Sequence, residues 1–408
     1  MSRILVIGGG AAGLLAAGTA AGRGHEVLLA ERNDRPARKV MITGKGRCNL
    51  TNDVSDVKEF ISNVPVNGRF LYSSVSSFGP PDIMRLMERC GVPLKVERGG
   101  RVFPQSDKAV DIVDALVRFD RTAGVRFFKG RAVGFECSDG KITQTVFEDG
   151  AKIAADAFIL AVGGKSYPLT GSSGDGYPLA ASLGHHIIEP RPALVPFVLD
   201  GSDFLGMQGL SLKNIAIHIK DTSGKTVYSD FGEMLFTHFG VSGPVILSAS
   251  VALNDIGKRK YYLAVDLKPA LSEEKLDARL VREFDANPAK TLSTVMSALL
   301  PRSMIPVVLR RAGVSGTEKC AETSRLLRSS LVRTMKSLDF TVTGTRDFNE
   351  AIITSGGVDV RQIDPKTMQS KLCDNLYFAG EIIDVAAYTG GFNLQIAFST
   401  GFAAGNCV

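Results

Sequence analysis

Hydrophobic and polar positions change period several times along the chain, and each change marks an element. Arg3–Ile7 (RILVI) is a short β-branched apolar run, the pattern of a buried parallel strand. Glycines interrupt it, and an Ala- and Leu-rich stretch through Arg23 then predicts a helix closed by Gly24. Residues 26–30 return to a strand pattern, with Glu31 at the end. Helical spacing is predicted over 67–78, 81–90 and 107–123, the last with Ser106 ahead of it and Asp107 in its first turn. An apolar run at 125–128 leads to three alternating strands punctuated by Asp139-Gly140 and Asp149-Gly150, a β-meander. The apolar strand 157–162 ends in Gly163-Gly164. Short strands alternate over 194–267, with a Thr-Ser-Gly turn at 222–224. Segment 272–336 predicts helices, with Ser272 as N-cap before Glu273 and Glu274 and breaks at Pro301 and Pro306. A last apolar strand at 376–379 turns at Gly380-Glu381, and Gly390-Gly391 opens a helix from about 392 to 404.

With 408 residues and 44% of them hydrophobic, the chain can bury a large core in two or three domains; 22% charged residues place it among globular proteins rather than disordered ones. Its first apolar run is four residues before glycine, too short for a signal peptide or a membrane span. Cysteines 48, 90, 137, 320, 373 and 407 show no C-x-x-C spacing. The only neighbouring histidines, His185 and His186, would point apart on a helix, so no metal site is expected. Reduced thiols in a cytoplasm follow as the expectation.

Charge adds one local feature. The net charge is +6, and residues 301–336 hold eight Lys/Arg against two acids, so the remainder is neutral. Such a run makes either a solvated helical face or a patch for an anionic partner such as nucleic acid. No aromatic residue lies between 301 and 336, which weakens the nucleic-acid version.

The chemistry begins at Gly8-x-Gly10-x-x-Gly13, set between the first strand and the first helix. Gly8 permits the turn, Gly10 lets backbone approach a pyrophosphate, and Gly13 lets the helix lie on the strand. The helix start at Ala11 and Ala12 offers unpaired N–H groups to an anion. Glu31 can accept both hydroxyls of an adenosine ribose and would repel a 2′-phosphate. These residues predict a dinucleotide site. The order that follows, a Rossmann unit, a crossover meander and a strand ending in Ala161-x-Gly163-Gly164, is that of an FAD-binding domain of the glutathione-reductase type. The Gly380-Glu381 turn and the helix after Gly391 complete it, with Asn393, Leu394 and Gln395 in the helix's first turn, aimed at the flavin's pyrimidine end.

Taken together, GGGAAG (8–13), GKGRCNLTN (44–52), GGKSYPLTGSSGDGY (163–177), TSGGV (354–358) and FAGEIIDVAAYTGGFNLQIAFSTG (378–401) resemble the BaiN/YhiN-like flavoproteins, also known as the aminoacetone-oxidase-like FAD-binding family. The motifs keep the family order over the whole length. Two motifs depart from it: Lys45 stands where the family has a third glycine, and Phe392 and Ile396 stand where Tyr and Trp are common. The resemblance implies an α/β chain whose Rossmann-like FAD domain comes from both ends, 1–190 and 340–408. The insertion between them has a β-rich part (191–270) and a helical part (271–339). It also implies non-covalent FAD held by the motif residues named above together with Arg32, Lys39, Ala132 and Val133.

The loop Gly44–Asn49 is expected to wrap the cofactor. Gly44 and Gly46 allow close approach. Lys45 and Arg47 balance the diphosphate or a reduced flavin, and Asn49 offers donor and acceptor to the ring edge. Cys48, beside two cations, is expected to have a lowered pKa. Lys45, Cys48, Tyr388 and Thr389 are the catalytic candidates, by proximity to motif ends alone. No second G-x-G-x-x-G sits in a strand–helix unit, so NAD(P)H would serve as a transient reductant. The function implied is an FAD-dependent oxidoreductase moving hydride between flavin N5 and a small organic substrate or NAD(P)H, the substrate entering between FAD domain and insertion. The alternative is an FAD-carrying RNA-binding or RNA-modifying protein that docks through 301–336.

Overall fold

A computed structural model describes residues 1–253 and 255–408. The chain forms two compact units, Met1–Ala193 with Asp347–Val408, and Leu194–Arg346.

The first unit is organised by a five-stranded parallel sheet. Its strands are β1 (Arg3–Ile7), β2 (Glu26–Glu31), β3 (Arg126–Lys129), β4 (Ala157–Leu160) and β5 (Leu376–Phe378), in the spatial order β5-β4-β1-β2-β3. Buried on both faces, β1 and β4 are near-continuous apolar runs: Ile4, Leu5, Val6, Phe158, Ile159 and Leu160 are at most 3% exposed. Helix α1 (Ala11–Gly22) follows β1, α2 (Arg38–Ile42) follows β2, α3 (Ala109–Ala123) precedes β3, and α4 (Phe392–Cys407) ends the chain.

Head and tail meet where α4 crosses α1. A Cβ on Gly401 would lie 2.4 Å from the Ala12 carbonyl oxygen, and one on Gly405 2.3 Å from that of Ala16. Glycine one turn apart on one helix and alanine one turn apart on the other bring the two backbones together, a contact that larger side chains forbid. The meander forms as expected (Ala132–Ser138, Lys141–Phe147, Lys152–Ala154). Ile187–Ala193 pairs antiparallel with Ile353–Val358, every residue of which is buried.

The second unit is a closed antiparallel barrel of six strands: Phe197–Leu199, Gly240–Ser242, Thr226–Phe236, Ser211–Lys220, Tyr261–Asp266 and Leu338–Thr345, in that spatial order. Ile215, Ile217, Ile219, Met234, Phe236, Leu263, Val265, Phe340 and Val342 fill its core with the helices Glu273–Asp285, Ile305–Arg311 and Arg325–Lys336. Ser272 accepts from the Lys275 N–H (3.3 Å), the N-cap its sequence predicts.

Three boundaries differ from expectation. Residues 340–346 belong to the barrel rather than to the cofactor domain, because Leu338–Thr345 closes it by pairing with Tyr261–Asp266 and Phe197–Leu199. The β-rich and helical parts are therefore one unit, with the helices inserted between the fifth and sixth barrel strands. Helix α3 starts at Ala109, because Asp107 sits at φ +59° and spends its carboxylate on Lys95 and Arg47. The 67–78 segment is a 3-10 turn (Gly68–Leu71) leading into a short helix (Tyr72–Ser77).

Candidate functional site

The carboxyl ends of β1, β4 and β5 each run into a glycine with left-handed φ: Gly8 (+103°), Gly163 (+77°) and Gly380 (+77°). Ligands of open parallel sheets bind beyond such strand ends. The three fingerprint glycines divide the work. A Cβ on Gly8 would be 2.6 Å from the Ala161 carbonyl oxygen, and one on Gly13 would be 1.8 Å from the Gly8 oxygen, so both serve close packing. A Cβ on Gly10 would meet nothing within 4 Å. Gly10 is also the N-cap of α1, with no side-chain cap and no acid in the first turn of the helix, so Ala11 and Ala12 begin an uncompensated positive helix end. That combination fits an anionic diphosphate: open space above Gly10 and an uncapped helix start.

Glu31 ends β2 beside this loop. Its carboxylate accepts from the Gly9 N–H (2.8 Å), the Asn33 N–H (2.8 Å) and Asn33 Nδ2 (2.7 Å). A carboxylate has about four lone-pair sites, so it keeps capacity for a ribose hydroxyl while it shapes the loop. Arg32 points elsewhere: with Arg131 it pairs with Asp175 (2.8 Å each), which belongs to the 163–177 motif.

A second cluster joins the other two turns. Lys39 of α2 donates to Glu381 (2.6 Å) and Ser166 (2.6 Å); Glu381 also accepts from Ser166 Oγ (2.8 Å) and from the Thr354 N–H (2.8 Å). A Cβ on Gly164 would strike Thr354 and Glu381, which lets this cluster lie directly on the β4 turn. Ser166 and Thr354 lie inside the 163–177 and 354–358 motifs, but motif spacing alone does not mark them as members of this cluster. Tyr177, from the same stretch as Ser166, has a buried hydroxyl with no hydrogen-bond partner among the described residues. Burial and the nearby Glu381 and Asp384 carboxylates push it well above the usual phenol range.

The loop 43–49 has an unusual backbone. Gly44, Lys45, Gly46 and Cys48 all lie at positive φ (57°, 59°, 83° and 60°), a conformation that costs Lys and Cys about 1 kcal/mol each. What holds it is a set of bonds to the tail. The Asn49 carboxamide donates to the Thr51 carbonyl (3.1 Å) and accepts from the Gly391 N–H (3.0 Å). Asn52 donates to the Gly390 carbonyl (3.1 Å), and Thr51 Oγ1 donates to Gln395 (2.7 Å). The loop is thus a clasp between the head of the chain and the start of α4.

Several side chains expected to face the cofactor are used by this clasp and its surroundings. Arg47 lies 4.1 Å over the Phe103 ring and pairs with Glu97 and Asp107, which take its charge. Gln395 is fully buried and donates to Phe78 O and Ser399 Oγ. Asn393 holds the backbone of Ala387 on both sides (3.0 Å each) and the Tyr388 carbonyl. Ala161 packs against Gly8, Leu394 is half-buried, and Ala132 and Val133 open the meander, Ala132 buried and Val133 exposed. Lys45 is exposed.

Cys48 requires a correction. Its thiol is fully buried, and desolvation pushes its pKa up to about 12, against a smaller opposing hydrogen bond with Thr43. The cations beside it in sequence do not reach it, so the thiol is inert rather than activated. Folded protein treated with iodoacetamide at pH 8 is expected to carry label on the exposed Cys137 and Cys407 and none on Cys48 by peptide mass mapping. Rapid labelling of Cys48 would refute this.

The basic 301–336 segment is also less free than its charge suggests. Arg310 and Arg311 pair with Asp203, Arg328 with Asp277 and Lys336 with Asp266. Arg325 and Arg333 are exposed. Among the described residues no group of three His, Cys, Asp or Glu side chains is placed to hold a metal ion, and no helix is long and apolar enough to cross a membrane.

A family model described as the HI0933-like protein Rossmann domain matches residues 2–407. The chain belongs to the HI0933-like family. This HI0933-like chain is similar to 3-dehydro-bile acid delta(4,6)-reductase of Clostridium scindens, 31% identical over 411 residues that span 99% of this chain and 98% of that protein. It is also similar to ribosomal RNA dihydrouridine synthase of Haemophilus influenzae, 29% identical over 407 residues spanning 98% and 97%. Among solved structures, the 3-ketosteroid-delta4-(5alpha)-dehydrogenase of Rhodococcus jostii RHA1 matches with a TM-score of 0.54 at 15% identity, covering 99% of this chain and 96% of that one. The HI0933-like chain therefore has the Rossmann-type FAD-binding fold its sequence predicts.

Proposed function

We propose that this protein is an FAD-dependent oxidoreductase that adds two hydrogens across a carbon–carbon double bond conjugated to a carbonyl group, with NAD(P)H as a transient reductant. The observation that carries the proposal is the set of three glycine turns at the ends of β1, β4 and β5, with an uncapped α1 start and Glu31 beside them. FAD, when bound, supplies a two-electron carrier that exchanges hydride at N5. The chain's residues would hold it. Gly8, Gly10 and the first turn of α1 would take the diphosphate and Glu31 the ribose. Gly163, Gly164, Gly380 and Glu381 would take the middle of the molecule, with Lys39 fixing Glu381. Lys45 and Tyr388 are the candidates for proton transfer to substrate.

The bond class comes from chemistry shared by the relatives' names. A delta(4,6)-reductase of a 3-dehydro-bile acid and a dihydrouridine synthase both saturate a double bond conjugated to a carbonyl. Purified protein, mixed anaerobically with NADH, NADPH, amines and enones in turn, is expected to lose its flavin colour with a nicotinamide and regain it when an enone is added. Colour unaffected by every reductant would sink the proposal.

A second reading, in which the conjugated bond is the C5=C6 bond of uridine in RNA, is favoured by charge. The Leu194–Arg346 unit carries 20 Lys/Arg against 15 Asp/Glu, a net +5 that comes from residues 301–336 (eight against two), whereas the other unit carries 28 against 27, a net +1. Reoxidation by RNA but not by small enones would select it.

A further inference from the structure

The outer face of the barrel carries exposed rings where a barrel would ordinarily present polar side chains. On the Thr226–Phe236 strand, Phe231 is 60% exposed and Val227 41%; on the Tyr261–Asp266 strand, Tyr262 is 40% exposed. Between these strands runs Ser211–Lys220, whose Ile215, Ile217 and Ile219 face the core and whose Ala216, His218 and Lys220 face outward. Register aligns the rings. Phe231 lies opposite Ala216, His218 opposite Ser229 and Lys220 opposite Tyr262. Phe231, His218 and Tyr262 therefore fall on one diagonal across three neighbouring strands, each step one strand over and two residues along, about 8 Å. His218 is held in place by a 2.9 Å bond between its Nδ1 and Ser229 Oγ.

Cations surround the Tyr262 end of the diagonal. Lys220 lies beside Tyr262, Lys225 sits in the adjoining turn, and Lys260 leads into the Tyr262 strand; Lys225 and Lys260 are exposed. The local acids each have a partner, including the exposed Asp339 opposite Ala264 on the next strand, which accepts from Ser337 Oγ. Asp221 accepts from Ser223 and from the Lys225 N–H, and Asp255 pairs with Arg259. Asp230 lies on the inward side, opposite Ile217. Glu233, the outward carboxylate of the Thr226–Phe236 strand, stands beyond Phe231, away from these lysines. Flat rings in a row, flanked by lysines, are the chemistry that binds a single-stranded nucleic acid: bases stack on rings while cations follow the phosphates.

We propose that the Phe231–His218–Tyr262 diagonal on the barrel's outer face docks a single-stranded RNA segment. The proposal rests on the RNA reading and moves its docking surface from the 301–336 helices, which lack aromatic residues and are partly neutralised by Asp203, Asp266 and Asp277, to a sheet face.

The test uses full-length flavin-loaded protein and fluorescence anisotropy with a labelled single-stranded oligoribonucleotide of about a dozen nucleotides. Phe231→Ala and Tyr262→Ala are each expected to weaken binding by about 5- to 100-fold. Lys220→Glu with Lys225→Glu should flatten the dependence of log affinity on log salt by about 0.7 per lysine. Arg325→Glu with Arg333→Glu should leave affinity near the parent value. All four side chains of the first two tests lie at the surface, so flavin content and melting temperature should stay unchanged. Parent-like affinity in the ring variants, or no binding by the parent, overturns the proposal. So does a dimer that Phe231→Ala dissociates in sedimentation, which would make the face a contact between copies. Flavin bleaching by nicotinamides is unaffected by any of these outcomes, so failure here leaves the oxidoreductase proposal standing.

Discussion

Gly10→Ala is expected to fold as the parent does and to emerge from purification with little flavin. The position has φ −79° and ψ −171°, which alanine adopts freely, and no atom lies within 4 Å of the added methyl. Alanine is a weaker N-cap than glycine but loses less backbone entropy on folding, two effects of a few tenths to about 1 kcal/mol that oppose one another. The melting temperature of the apoprotein should therefore shift by no more than about 2 °C. The methyl does occupy the space through which a diphosphate would approach the helix start, and FAD affinity should fall about 10- to 100-fold, or about 1.4–3 kcal/mol. Gly13→Ala makes the contrast. Its methyl would sit 1.8 Å from the Gly8 carbonyl oxygen, a backbone atom, and should cost about 3 kcal/mol or more in stability before any ligand is considered. Calorimetry of the apoproteins and flavin titration separate the two effects. Parental FAD affinity in Gly10→Ala would refute the placement of the diphosphate.

Asp120→Asn is expected to stabilise the protein at neutral pH. Asp120 faces Gly18 of α1 from α3, is fully buried, and has neither carboxylate oxygen hydrogen-bonded among the described residues. Desolvation raises its pKa well above the ordinary carboxylate value. The sign follows from proton binding. The folded state holds the proton more tightly than the unfolded state, so stability is greatest below the unfolded pKa of about 3.9 and falls as pH rises from there toward the folded pKa. Asparagine does not ionise and escapes that loss. Urea unfolding at pH 8 should show the variant more stable by about 1–3 kcal/mol, and the advantage should shrink toward pH 4. A difference that stays constant from pH 4 to pH 8 would show that the carboxyl is not held neutral. Asp120 lies in the packing between α1 and α3, away from the glycine turns, so flavin content should not change.

The sequence by itself determined the elements whose cause is local. Arg3–Ile7 is a strand because its run is apolar and β-branched; the fingerprint turns because Gly8 and Gly13 have no side chain; Ser272 caps because its hydroxyl reaches a nearby N–H. Matched motifs in unbroken order also revealed that both ends build one cofactor domain. Where a side chain spends its hydrogen bonds or its charge was beyond local pattern. Arg47 beside Lys45 reads as a cation for a diphosphate until Glu97 and Asp107, some fifty and sixty residues away, are seen to hold it. Cys48 reads as activated until its burial is seen, and the sequence does not show that Asn49 and Gln395 join the 43–52 loop to the last helix. The barrel's sixth strand was invisible for the same reason, since closure depends on pairing Phe340 with Leu263 across an inserted helical segment. Propensity and turn chemistry act over a few residues and can be read from them. Desolvation, ion pairing and strand closure depend on what the folded chain brings within a few ångströms, and only the tertiary structure decides that.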